Sequence, residues 1–541
     1  MSELTTAEVV ARHLKAAGAS RMFGYPGDSN IELMEAGRQQ GVETVLASRE
    51  GTATFMAQGL AMATGEIGVA TSTLGPGSSA LVNGVAAATL DRVPMLALSG
   101  QINRAREPYF THQVLDHDLM FSPVSKWAGR IEPSCAGAVM RKAVRLATAE
   151  RPGAVHLTLN ADSAKAAAAD DGANTPPQMP SAQAPTVYRQ AGAPDPVEAL
   201  RGSSRPVILA GIAALRQGAG EEIIELAEAR GIPIVVGGMA KGVVPEDHPN
   251  FAGVIEMACT DLIYDLLNRS DLVLAIGFDA VELFPVWAVE APVIHIDTTP
   301  NTDQVYPASI EIVGGIRSAL GWLREEAGEA AGWSANDLEA HRTALRDDFY
   351  AGRVSDRLNP TDVVDGLVAT VPQDAIVTTD VGSHKLLIGQ GWITREPRTA
   401  LMSNGLSSMG FGLPAAIGAK LGRPDRMAVA AIGDGGFAMV QSELRLAAEL
   451  GLGILVVIFS DQSLNRIELK QMQRGYPSTA TRISQVDMPK LAESMGCHGT
   501  RVDDVQGLER ALADTGGLDR PLVVEAVIDP TQYESQYSDK G

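Results

Sequence analysis

Short, continuously apolar runs alternate with stretches of helical spacing, and this pattern constrains the chain most. GVATSTL (68–74) and PMLALSG (94–100) flank a helical stretch at 78–91. RPVILAG, IPIVVGG, DLVLAIG and PVIHID follow, then AIVTTDV, MAVAAIGD, GILVVIFSD and PLVVEAVID. Runs this rich in Val, Ile and Leu predict strands buried on both faces, and the intervening helices predict parallel crossovers. At 541 residues the chain is too long for one core. Two stretches break the pattern: 164–190, rich in Ala, Pro and Asp, reads as an extended linker, and the charged 325–357 as a helical connector. The expectation is an α/β protein of three doubly wound parallel-sheet domains, at 1–163, 190–325 and 358–530.

Other features narrow the class. No apolar run reaches the roughly 18 residues that span a bilayer, and MSELTTAEVVARHLKAAG has acidic residues where a secretory signal is basic. Cys135, Cys259 and Cys497 have no metal-ligand spacing, so they read as unpaired, buried thiols in a cytoplasmic protein. A net charge of −21 argues against nucleic acid or an anionic membrane as partner.

The strongest local signal lies in MAVAAIGDGGFAMVQ, where a buried strand runs into Gly433-Asp434-Gly435-Gly436 and a helix is expected from about Phe437. Glycines there let the backbone approach a phosphate, and the helix start offers free N–H groups. A GDGG alone is commonly a turn with a capping Asp. A second strand, ILVVIFS, ends in Asp461, 27 residues on (461 − 434), so two acids share the edge where open α/β sheets bind ligands. Such a pair suits a hard cation.

This segment resembles the diphosphate-binding motif of thiamine-diphosphate enzymes, GDG followed at similar distance by an Asn pair. The resemblance implies Mg²⁺ on Asp434, Asp461 and the Ser463 carbonyl, with Leu464 beside the cofactor; Asp461 departs from the family's usual Asn. TTDVGSHKLLIGQ (378–390) resembles the family's other diphosphate loop, which makes Gly382, Ser383 and His384 phosphate donors. In LMSNGLSSMGFGLPAAIGA (401–419), Met409 is then the apolar residue beneath the cofactor and Ser407 offers a carbonyl to the pyrimidine amino group. VLASREGTATFMAQGLAMATG (45–65) resembles the family's glutamate motif and makes Glu50 the catalytic acid at pyrimidine N1′. By itself, a Glu at a helix start is a favourable dipole partner.

STLGPGSSALVNGVAAATLDRVPMLALSGQ is similar to the acetolactate synthase branch, in which Gln113 falls at an active-site Gln. His112 stands where those enzymes have Phe, either as a proton carrier or as a solvated loop residue. The branch's acceptor-site Trp is Lys470 here. Lys470 and Arg466, one helical turn apart, are solvated helix residues or recognise an anionic substrate tail. The central AIGFDAVELFPVW (275–287) lacks the Arg of the branch's FAD turn, which puts FAD in doubt. The resemblance implies decarboxylation of a small 2-oxo acid with carboligation to a second carbonyl, in a homodimer or homotetramer whose sites combine Glu50 and Asp434 of different subunits. The alternatives are a simple 2-oxo acid decarboxylase, a 2-hydroxyacyl lyase and a non-catalytic cofactor-binding homologue.

Overall fold

The computed structural model describes residues 4–169, 172–173, 184–328, 332–513 and 515–536. The first sheet comprises β1 (Arg21–Gly24), β2 (Glu43–Leu46), β3 (Gly68–Ser72), β4 (Met95–Gln101), β5 (Trp127–Arg130) and β6 (Ala154–Asn160). The central sheet comprises β7 (Thr186–Arg189), β8 (Pro206–Ala210), β9 (Ile234–Gly237), β10 (Phe251–Ile255), β11 (Leu272–Ile276), β12 (Val293–Asp297) and β13 (Ile310–Val313). The third has β14 (Ile376–Thr379), β15 (Ala400–Met402), β16 (Ala428–Gly433), β17 (Ile454–Ser460), β18 (His498–Val502) and β19 (Leu522–Val527).

The first sheet runs β2-β1-β3-β4-β6-β5 and the third β15-β14-β16-β17-β19-β18, so the outer domains share one topology. Both are parallel throughout. Their inner strands are fully buried, as the continuous apolar runs require. The central sheet runs β10-β9-β8-β11-β12-β13-β7 and is parallel except for β7, which pairs antiparallel with β13. A central domain begun at residue 190 loses that edge strand. TVYR is short and mostly exposed, so it carries no apolar run to mark it. Of the stretch read as an extended linker, 170–171 and 174–183 lie outside the described residues. Its beginning is tied down, since Thr6 N–H donates to Ala166 O at 2.9 Å. The charged connector is helical at Ile316–Ala327 and Ala335–Phe349. Cys135 is exposed, against the expectation of three buried thiols, because it sits at a surface helix start; Cys259 and Cys497 are buried. No helix among the described residues is long and apolar enough to cross a membrane.

The outer domains meet through small residues. The helix Glu50–Thr64 lies on Gly412–Gly422 so closely that a Cβ at Gly59 would come within 2.1 Å of Ala415 O. A Cβ at Gly418 would lie 1.9 Å from Met56 O. Both clashes are with backbone, which yields little. Gly418→Ala is therefore expected to destabilise the protein by about 1–3 kcal/mol, seen by calorimetry as a lower Tm. An unchanged Tm would show that the two helices separate freely.

Candidate active site

The switch point of the third sheet lies between β14 and β16, where the strand order reverses and an open α/β sheet leaves a crevice. β16 ends at Gly433, and the next helix, Asp434–Val440, begins three residues earlier than the spacing suggested. Asp434 Oδ1 accepts from Gly435 N–H and Oδ2 from Gln462 N–H, both at 2.7 Å. β17 pairs in register beside β16, which carries Asp461 to the same edge. Burial, then the charge of Asp434, push the Asp461 carboxyl up to about 7. Burial raises Asp434 as well. A buried and a half-buried carboxylate that repel each other are a pair whose repulsion a divalent cation would relieve. Among the described residues no three His, Cys, Asp or Glu side chains group to hold a metal.

The loop after Asp461 is held from outside. Leu464 N–H donates to Thr481 O at 2.7 Å and Ile483 N–H to Gln462 O at 2.9 Å. Ser463 Oγ donates to Glu468, itself paired with Arg482 at 2.7 Å. Gly435 is enclosed: a Cβ there would lie 2.8 Å from Leu464 Cδ2 and 3.5 Å from Met409 Cε. Met409, Gly435 and Leu464 thus share one wall.

Across the crevice, Gly382 precedes the helix Ser383–Gly391. The His384 ring fills the space beside Gly382 and Gly433, where Cβ atoms would lie 2.7 and 3.0 Å from its Cε1. It stacks on Phe459 and is 4% exposed. Burial and the adjacent Lys385 bring the imidazole down to about 3. Its Nε2 is buried without a hydrogen-bond partner. Ser383 Oγ donates to Asn465 Oδ1 at 2.8 Å, which joins this loop to the helix after the cation loop.

Asp380 was not singled out from the sequence. Buried at the end of β14, its carboxylate accepts from Gly410 N–H at 2.8 and 2.9 Å and from Val381 N–H at 2.9 Å. It thereby fixes the turn after Met409. An acid closing the run TTD at a strand's carboxyl end was the available signal. Ser407 has φ of +52° and Gln462 +56°, so the Met409 and cation loops each hold a non-glycine residue in the left-handed region. The first domain braces the Ser407 loop: Asp91 accepts from Asn404 N–H at 3.0 Å and Gly405 N–H at 2.6 Å, and Asn83 Nδ2 donates to Ser408 Oγ at 2.9 Å.

Glu50 opens its helix, half-buried, with Oε1 2.8 Å from where a Cβ of Gly77 would stand. Its carboxylate makes no hydrogen bond or ion pair among the described residues. The flanking residues are anchored: Ser48 N–H donates to both Glu443 oxygens at 3.1 Å, and Thr52 Oγ1 to Oε1 at 2.5 Å. Gln113, with φ of +60°, packs on Gly75 two residues from Gly77, so Gln113 and Glu50 share one edge of the first domain. His112 beside it is exposed. Arg466 and Lys470 lie on the helix Asn465–Gln473 that leaves the cation loop.

Three models of the thiamine pyrophosphate enzymes match the chain: the N-terminal TPP binding domain at 4–120, the central domain at 195–323 and the C-terminal TPP binding domain at 380–526. The chain is 30% identical to the probable acetolactate synthase large subunit of Methanocaldococcus jannaschii, across 97% of this chain and 92% of that one. The chain belongs to the thiamine pyrophosphate enzymes. Within that family it is also 30% identical to the catabolic acetolactate synthase of Raoultella terrigena, over 97% and 95% of the two chains. Identity to the acetolactate synthase of Bacillus subtilis is 28%, over 99% and 95%. It is thus a thiamine-diphosphate-dependent enzyme, acetolactate-synthase-like, that makes or breaks carbon–carbon bonds. The residues at this switch point suit the cofactor: His384 Nε2 is buried without a partner, Gly382, Gly433, Gly435 and Gly436 let the backbone come close, and two carboxylates that repel each other stand at adjacent strand ends.

Proposed function

We propose that this enzyme decarboxylates a small 2-oxo acid and joins the retained acyl carbon to a second carbonyl compound, as its relatives' names suggest. The full-length likeness to proteins named acetolactate synthase carries this reading, and the retention of Glu50, Met409 and Asp434 together supports it. The chemistry that thiamine diphosphate supplies is a nucleophilic carbon and an electron sink. Asp434, Asp461 and the Ser463 carbonyl would hold the Mg²⁺ that neutralises the diphosphate. Gly382, Ser383 and the N–H groups at Gly433, Gly435 and Gly436 approach its oxygens. The buried, unpartnered His384 Nε2 would face the same oxygens. Met409 and Leu464 would supply an apolar wall for the cofactor rings, and the Ser407 carbonyl would accept from the pyrimidine amino group. Glu50 holds and returns the proton at pyrimidine N1′. Gln113 and His112 face the substrate oxygen, where His112 moves a proton. His112→Phe is expected to cut kcat about tenfold or more; an unchanged kcat would leave it a solvated loop residue.

The reading includes at least a homodimer, in which Glu50 of one subunit serves the crevice of another. The unpartnered Glu50 carboxylate supports this, as do the apolar side chains exposed near both half-sites: Tyr109 at 72%, Leu119 at 74% and Met439 at 61%. The deciding experiment incubates the Mg²⁺-loaded holoenzyme with a panel of 2-oxo acids, with and without acceptor aldehydes and ketoacids, and identifies products by mass spectrometry. A condensed hydroxyketone or acetohydroxy acid is expected. Free aldehyde as the main product in the presence of acceptors would instead make it a decarboxylase.

A further inference from the structure

The central sheet has a switch point of its own, between β8 and β11, and the crevice outside their carboxyl ends is where a doubly wound domain takes a nucleotide. The backbone there is prepared for close approach. β8 is followed by Gly211, β9 ends in Gly237 and β11 is followed by Gly277. Gly277 has φ of +59°, a conformation that favours glycine.

The space these glycines leave is taken by the chain's own Glu282. A Cβ at Gly237 would lie 2.0 Å from its Oε1, and one at Gly211 2.5 Å from its Oε2. Oε2 accepts from Ile212 N–H at 2.9 Å and Asp279 N–H at 3.1 Å, so the amide that opens the next helix already has its acceptor. Glu282 is fully buried, and burial pushes its carboxyl up to about 8, which leaves it uncharged near neutral pH. Phe278, fully buried, lies beside it, and the equally buried Tyr306 packs on Phe278, with Tyr306 OH donating to Phe278 O at 2.9 Å. The mouth is sealed from the first domain: Arg92 donates to both oxygens of Asp279 at 2.9 and 3.1 Å, and Arg151 approaches at 3.4 Å. A dinucleotide phosphate would have to displace a buried carboxyl group and part a bidentate ion pair.

We propose that the central domain is a nucleotide fold closed by its own Glu282 side chain, so that the enzyme carries neither FAD nor ADP and works without them. This rests on the central domain and the two first-domain arginines at its mouth, and holds whichever carbonyl compounds the enzyme joins. Equilibrium dialysis of the thiamine-diphosphate and Mg²⁺ holoenzyme against FAD and against ADP tests it. The expected result is no saturable binding of either, and no flavin released from freshly purified protein on denaturation. Stoichiometric flavin, or saturable binding of either probe, would overturn the proposal. Glu282→Ala frees the space and both amides, whereas Glu282→Gln keeps the space filled. ADP at about 100 times its Kd is therefore expected to raise the Tm of folded Glu282→Ala by several degrees, and to leave Glu282→Gln and the parent protein unmoved. A folded Glu282→Ala protein whose Tm ignores ADP would refute Glu282 as the closing group, and the dialysis decides the matter if that variant does not fold.

Discussion

Glu50→Gln is expected to lower kcat by about 10²–10⁴-fold, the range that general acid–base catalysis contributes. Glutamine keeps the size of the side chain, so Gly77 still accommodates it, and the Ser48 and Thr52 hydrogen bonds to Glu443 are untouched. Cofactor binding, followed by near-ultraviolet circular dichroism, should therefore change little while turnover collapses. The contrast is the diagnostic: loss of binding together with rate would mean that the substitution disturbed the helix start. A variant that turns over within about threefold of the parent would remove Glu50 from the proposed chemistry.

Asp434→Ala is the second large effect, and it should fall on binding. The carboxylate is buried, accepts the Gly435 and Gln462 amides, and stands beside Asp461. Its removal deletes a proposed ligand and frees the loop that presents the other. Residues that only orient metal ligands cost about 10–100-fold in affinity when replaced, so loss of a direct ligand should cost about 100-fold or more in Mg²⁺ affinity. Calorimetric titration of Mg²⁺ at fixed thiamine diphosphate reads this directly. An unchanged affinity would place the metal elsewhere.

The two variants together test the shared site. If Glu50 of one subunit serves Asp434 of its neighbour, a hybrid of the two variants contains one intact site. Refolding them as an equal mixture should then restore about a quarter of parental activity in a twofold-symmetric dimer. Sites built within single subunits would restore none.

Much of the scaffold was legible because its cause is local. Continuous apolar runs at β3, β4, β8, β11, β16 and β17 are readable since both faces of those strands are buried. β1, β5, β6, β7, β10, β13, β15 and β18 were missed; all but β6 are three to five residues long, β7 and β18 are largely polar or exposed edge strands, and the apolar run of β6 is broken by its buried His156, Thr158 and Asn160. Asp434 and Asp461 were readable as strand-end acids, and β16–β17 pairing sets them side by side.

By itself the sequence determined three α/β units, the two acids at adjacent strand ends and, by likeness, the cofactor they serve. The periodicity of each segment and the residue types at its strand ends carry that information. Only the tertiary structure decided what holds and closes the sites. Asp380 fixes a turn 30 residues away, Glu443 anchors residues nearly 400 positions earlier, and Glu282 fills the crevice behind Ile212, 70 residues before it. A buried carboxyl group takes whichever N–H donors chain closure brings to it, and no local period encodes that choice.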